Sequence, residues 1–219
     1  PPSPRRPSQC RQDFGSGPEV DSIMPAAPRD LPFACTCGTI KGTLRGVTPA
    51  RGSHAQCHCI DCRAAEVYLN HPDPAPQAVQ LFQTTPDRFD FDQGFDRLGV
   101  FAFGEKSLLR WYATCCGTPM FNTLRKPKLA FASIMTSALS DPSALGPIVG
   151  TGYIPTPSGK TRNEGLPRLI WGALSRAAGA KITGRWKTNP FIDPDTTTPN
   201  RPVQIVPHDQ RQAILDALR

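Results

Sequence analysis

Between Phe33 and Met135 the apolar residues come in short alternating runs, most of them too short for a helix. Thr39–Leu44 sets Ile40, Gly42 and Leu44 against polar neighbours, which predicts a strand. Arg51–Ala55 leads into the segment around Cys57, and Val79–Thr84 reads as a strand. Arg63–Leu69 fits one or two helical turns, closed by Asn70-His71-Pro72 and followed by a loop over Pro72–Pro76. Phe89 and Phe91 alternate with Asp90 and Asp92, a half-buried strand with its acids turned to water. Two carboxylates on one face carry no mechanism by themselves. Leu98–Phe103 and Leu108–Ala113 suggest a hairpin around Gly104-Glu105-Lys106, and Met120–Asn122 and Leu129–Met135 two more strands.

After Pro142 the pattern changes. Pro147–Gly165 is rich in Gly, Pro, Thr and Ser and reads as a long loop. Leu166–Ala180 spaces Leu166, Leu169, Ile170, Ala173, Leu174 and Ala177 as a helix does, with Gly179 near its end. Gly184-Arg185-Trp186-Lys187 is a basic-aromatic patch. Asp209–Leu218 predicts a short terminal helix. Proline accounts for 25 of 219 residues, against a usual ~5%, so long helical bundles are excluded and a loop-rich fold of short elements is expected, mainly β given the strands above. The expected organisation is a lead-in without fixed structure over 1–32, a β domain over 33–140, and a Pro-rich basic extension over 141–219 with one or two short helices. Met24-Pro25-Ala26-Ala27 looks like a natural start, so residues 1–23 are left out of fold reasoning. No run approaches the ~18 apolar residues of a membrane span, and no secretory apolar core is present. A reducing, cytoplasmic setting and no membrane partner are therefore expected. No feature sets an oligomeric state.

The formal charge of +7 is uneven. Residues 1–23 and 24–120 are each neutral in sum, whereas residues 121–219 carry thirteen basic and six acidic groups. Such a segment attracts nucleic acid, acidic lipid or anionic substrates, or is a solvated face, since no block of five like charges occurs. Ser158-Gly159-Lys160-Thr161 resembles the end of a phosphate loop, but the position that needs glycine holds Ile154, and a plain loop is expected.

The eight cysteines change the picture most. Cys35 and Cys37 form C-x-C. Cys57, Cys59 and Cys62 form C-x-C-x-x-C. Cys115 and Cys116 are adjacent, and Cys10 stands alone. In a reducing compartment such clusters read as zinc ligands rather than disulfides. Cys35 and Cys37 open the β domain and Cys115 and Cys116 nearly close it, so one zinc joining all four would tie the fold together. The middle trio offers three thiolates, which leaves an open position, as in catalytic or exchangeable sites. Two zinc ions per chain are therefore expected. Three thiolates make zinc a poor activator of water but a good acceptor of a fourth, soft thiolate. The chemistry that fits is carbon–sulfur bond making or breaking on a small thiol. His54, His58 and His71 lie near the trio and read as supporting or surface residues rather than ligands. Arg63, next to Cys62, is a candidate contact for a substrate carboxylate or a support for the ligand beside it.

C-T-C-G-T-I-K-G at 35–42, C-H-C-I-D-C-R at 57–63 and Y-A-T-C-C-G-T-P at 112–119 resemble the glutathione-dependent formaldehyde-activating enzyme family, which includes centromere protein V. The resemblance covers about residues 33–135. It implies a zinc-bound β-tent of small antiparallel sheets. It also implies a structural zinc on Cys35, Cys37, Cys115 and Cys116, and a catalytic zinc on Cys57, Cys59 and Cys62 where glutathione's sulfur binds. The chain departs from that family's usual C-x-x-C-G in its last motif, because position 113 is Ala113 and Cys115 supplies the second thiol. Neighbours on a strand point to opposite faces, so both sulfurs can ligate one ion only at a turn or bulge.

Two functions follow. One is a zinc-dependent carbon–sulfur lyase or thiol-adduct synthase acting on a small thiol such as glutathione and a carbonyl compound such as formaldehyde. The alternative is a zinc-stabilised binding module whose basic C-terminal region contacts nucleic acid or a protein partner. A labile zinc or redox buffer on the trio ranks behind both.

Overall fold

The computed structural model describes residues 27–219. Cys10 and Met24 lie outside the described residues. The fold is mainly β, with two sheets and three α-helices among the described residues. The strands are β1 (Arg29–Ala34), β2 (Lys41–Val47), β3 (Ser53–Cys57), β4 (Val79–Thr84), β5 (Phe89–Gln93) and β6 (Leu98–Ala102). They continue as β7 (Leu109–Ala113), β8 (Pro119–Thr123), β9 (Ala132–Met135), β10 (Ile148–Pro155), β11 (Thr161–Glu164) and β12 (Val203–Ile205). The helices are α1 (Ile60–Tyr68), α2 (Leu166–Ile182) and α3 (His208–Ala217).

A three-stranded antiparallel sheet runs β1-β2-β5, and a nine-stranded sheet runs β11-β10-β3-β4-β9-β8-β7-β6-β12. Their facing sides bury an aromatic core. Phe33 and Phe89 from the small sheet meet Phe121 of the large one edge-on, with ring centroids 5.3 and 5.2 Å apart. Edge-to-face contact suits the ring quadrupoles. Phe91 joins them, while Asp90 between the two phenylalanines turns outward and pairs with Arg45 at 2.6 Å. Trp111 is buried, and its indole N–H donates to Thr123 Oγ1 at 2.9 Å, so the core leaves no unpaired donor there.

Three sequence expectations change. The expected lead-in over 1–32 ends earlier, because Arg29–Pro32 pair with β2 as part of β1. Pro147–Gly165 is not a loop. It holds β10 and β11, which extend the sheet beyond β3 through backbone hydrogen bonds that its composition does not advertise. The Ser158-Gly159-Lys160-Thr161 stretch is the turn between them, closed by Gly159 N–H to Thr156 O at 2.9 Å. The long helix runs past Gly179 to Ile182 and stops where Gly184 takes a left-handed conformation.

The segment after residue 140 lies on the sheet. β10 pairs parallel to β3, β12 pairs parallel to β6, and Leu169 of α2 packs on Ala55, Leu81 and Val149. Phe191 is fully buried among Phe89, Phe91, Trp111 and Phe121. No helix among the described residues is long and apolar enough to cross a membrane.

Candidate metal centres

The seven described cysteines are free of disulfides and gather into two groups. Within each group the sulfurs lie within 4.8 Å of one another, close enough to share an ion.

Cys35 and Cys37 sit in the tight turn from β1 to β2, where the Ile40 N–H donates to Cys35 Sγ at 3.2 Å. Cys115 and Cys116 sit in the turn from β7 to β8. The pleat ends at Ala113, whose carbonyl accepts from the Gly117 N–H at 2.8 Å, and Gly117 takes φ +73°. That turn removes the strand alternation, so both neighbouring sulfurs face Cys35 and Cys37. Cys115 Sγ is 3.3 Å from Cys37 Sγ and 3.9 Å from both Cys35 Sγ and Cys116 Sγ. A tetrahedral ion about 2.3 Å from each sulfur would set them roughly 3.8 Å apart, so the four thiols fit a closed metal site. The loops also clasp each other directly, with the Thr36 N–H donating to Thr118 Oγ1 at 3.0 Å. Hydrogen bonds from the Thr39 hydroxyl, the Thr39 N–H and the Cys115 thiol hold the Cys37 thiol down at about 6. Burial, and its donation to Cys37, push Cys115 up to about 12. Without a cation the cluster resists a full set of thiolates, and a divalent ion would supply the missing charge.

The trio is built at the junction of β3 and α1. Cys57 ends β3, flanked by Val79 of β4 and Gly152 of β10. Cys59 caps α1, and its sulfur accepts from the Cys62 N–H at 3.3 Å. A helix N-terminus favours a thiolate. The Cys57 and Cys62 thiols, the Cys62 N–H and the charge of Arg110 together hold Cys59 down at about 3. Donation to Cys59 pushes Cys57 up to about 11, and contact with both other sulfurs, together with burial, pushes Cys62 well above its ordinary value. One sulfur of the three thus carries negative charge readily, and a cation is needed for the others. No histidine or carboxylate among the described residues completes this group, whereas the other group has four cysteines.

Three features around the trio were not visible in the sequence. Arg110 on β7 is buried, stacks over Phe103 at 5.5 Å and makes no ion pair among the described residues. Glu66, one turn along α1 from Cys62, lines the same narrow cavity as Cys62 and Arg110, and burial pushes its carboxyl up. Two open grooves flank the sulfurs. One runs past Cys59 between His58, Gln77 and Tyr153, and an apolar one runs past Cys62 between Leu81, Leu108, Leu124 and Phe131.

Arg63 lines the groove beside Cys59, with its guanidinium engaged by neighbouring elements. It donates from Nε and Nη2 to Asp73 at 2.8 and 2.5 Å and to the Leu218 carbonyl at 3.0 Å. It therefore fixes α1 to the following loop and to the end of α3. His54 contacts Gly146 O and Gln80 Oε1 through its two ring nitrogens at 3.0 and 3.3 Å, and His71 Nε2 lies 3.1 Å from Gly117 O. Their rings support neighbouring loops.

No curated protein matches this chain. Among solved structures it is similar to the crystal structure of a Rhodobacter sphaeroides protein, a structural genomics target. That similarity has 17% identity and a TM-score of 0.40, over 53% of this chain and 96% of that one. A protein-family model matches residues 28–155, more than half of the chain and all seven described cysteines. The chain belongs to that family, a family of unknown function (DUF6151).

Proposed function

We propose that this chain is a zinc-dependent carbon–sulfur lyase or thiol-adduct synthase, acting on a small thiol such as glutathione and a carbonyl compound. The observation that carries the reading is the difference between the two cysteine groups, four sulfurs in one and three in the other. The resemblance of the three motifs to the glutathione-dependent formaldehyde-activating family, in a reducing cytoplasmic setting, supports it further. Bound by Cys57, Cys59 and Cys62, zinc would supply a soft Lewis acid that prefers a substrate thiolate to water.

The protein's own groups have definable tasks. Cys59 and Cys62 are oriented by the first turn of α1, and Arg110 offsets the negative charge that a substrate sulfur would add. In the forward direction the substrate sulfur forms a bond to the carbonyl carbon. The carbonyl electron pair moves to oxygen, which takes up a proton. The reverse direction breaks the same carbon–sulfur bond and returns its electron pair to sulfur. Glu66 is the carboxyl in the same cavity that is suited to carry the proton.

The test is consumption of formaldehyde in the presence of glutathione by the full chain, followed by NMR of the adduct. Turnover is expected in the wild type, with a loss of at least about 100-fold in Cys62→Ala at unchanged far-UV circular dichroism. No thiol-dependent turnover, or equal turnover in the folded variant, would contradict the reading. A second reading, a zinc-stabilised binding module, is favoured by the outer face of α2, where Trp171 is 74% and Ile182 85% exposed. It calls for nucleic-acid or protein binding that is indifferent to small thiols.

A further inference from the structure

Four arginines from distant parts of the chain line one cleft. Arg51 comes from the turn before β3, Arg88 from the turn after β4, Arg176 from α2 and Arg185 from the turn after α2. This cleft shares no lining residue with either cysteine group. Arg51 and Arg88 approach closely, since a Cβ built on Gly46 would lie 2.7 Å from Arg51 Nη1 and 3.1 Å from Arg88 Nη1. Like charges do not gather without compensation.

The compensation inside the protein is small. Asp87 pairs with Arg185 at 3.2 Å, and Arg45 nearby is already taken by Asp90. Arg51, Arg88 and Arg176 make no ion pair among the described residues. Arg176 spends one nitrogen on Ser53 Oγ, at 3.1 Å, while its Nε and Nη2 are buried with no partner among the described residues. Buried guanidinium nitrogens without acceptors call for one. Burial, and the nearby charges of Arg51, Arg185 and Arg45, depress the basicity of Arg88 against the pull of Asp87, as expected where positive charge is in excess.

We propose that this cleft binds a compact, multiply charged oxyanion, the phosphate or pyrophosphate group of a small ligand. Guanidinium forks match the oxygens of a phosphate two at a time. The arginines converge on one concavity from four segments, rather than line a track as a polymer backbone would require. Two of them, Arg176 and Arg185, belong to the segment after residue 140, so the site exists only when α2 lies on the sheet.

The experiment is calorimetric titration of the full chain with inorganic phosphate and with pyrophosphate, at fixed ionic strength set with sodium chloride. Saturable binding is expected, tighter for pyrophosphate, and weakened about tenfold or more in Arg176→Gln, which loses a charged donor. Arg51→Gln is an exposed change that spares the fold, and it is expected to weaken binding in the same direction. Absence of saturable binding to either anion, or unchanged affinity in folded Arg51→Gln and Arg176→Gln, would overturn the proposal. Displacement of pyrophosphate by an unphosphorylated single-stranded oligonucleotide would also overturn it, in favour of a nucleic-acid surface.

Discussion

Cys115 shows how much a single residue's surroundings decide. Beside Cys116 on a strand it would face away, but in the turn closed by Gly117 its sulfur reaches Cys37 at 3.3 Å. The cysteine types and spacings were legible in the sequence, because few roles other than metal binding suit such clusters. Arg110 and Glu66 were not, because neither the run Leu-Arg-Trp-Tyr-Ala of β7 nor one acid on a short helix says which sulfur it will meet. For Arg63, its place beside Cys62 leaves a substrate contact and a support equally open, and the partner Asp73, ten residues on across an irregular turn, has no local signal. Cys115→Ser is expected to remove metal from the closed site and to destabilise the fold by more than about 4 kcal/mol, the range of a lost structural metal. Denaturant unfolding with elemental analysis checks it, and a variant as stable as the wild type would take Cys115 out of the ligand set.

At the scale of elements, α3 buttresses the helix that carries the trio. Ile214, Leu215 and Leu218 pack with Ala64, Ala65, Phe101 and Phe103, and Arg211 reaches Asp61 at 2.9 Å. The apolar spacing announced α3 as a helix but not the surface it would cover. β10 and β11 escaped because they are held to the end of the sheet by backbone bonds, which their Gly- and Pro-rich composition does not signal; of the two, only β11 is an edge strand. Arg63→Ala is expected to loosen α1 and to lower metal affinity at the trio by about tenfold, leaving the four-cysteine site unchanged. The bond from Arg63 holds the Asp73 carboxyl below its ordinary 3.8. A depressed carboxyl stabilises the fold fully above its unfolded value and loses that contribution as pH falls through the lower folded value. Wild type is therefore expected to exceed Asp73→Asn by about 1 kcal/mol at neutral pH, with the gap closing below pH ~4. Unfolding curves across pH 3–7 measure it, and a gap independent of pH would remove the ion pair from the account.

For the whole molecule, the chain after residue 140 supplies strands at both ends of the large sheet and a phenylalanine at its centre. Phe191→Ala is expected to cost about 3–5 kcal/mol, as for other large buried rings, and a loss under about 1 kcal/mol in denaturant unfolding would mean that this segment only rests on the surface. The mainly β character and the helices were legible from periodicity. The parallel pairing of β12 with β6 was not, because three residues, Val203–Ile205, carry too little pattern. The surplus basic charge beyond residue 120 takes on meaning only in three dimensions, where Arg176 and Arg185 meet Arg51 and Arg88. The proposed chemistry requires two metal centres that differ in openness. Elemental analysis of the purified chain tests it most directly. About two zinc ions per wild-type chain and about one in folded Cys62→Ala are expected. About one ion in the wild type, unchanged in the variant, would leave the trio without a metal and rule out the thiol chemistry proposed for it.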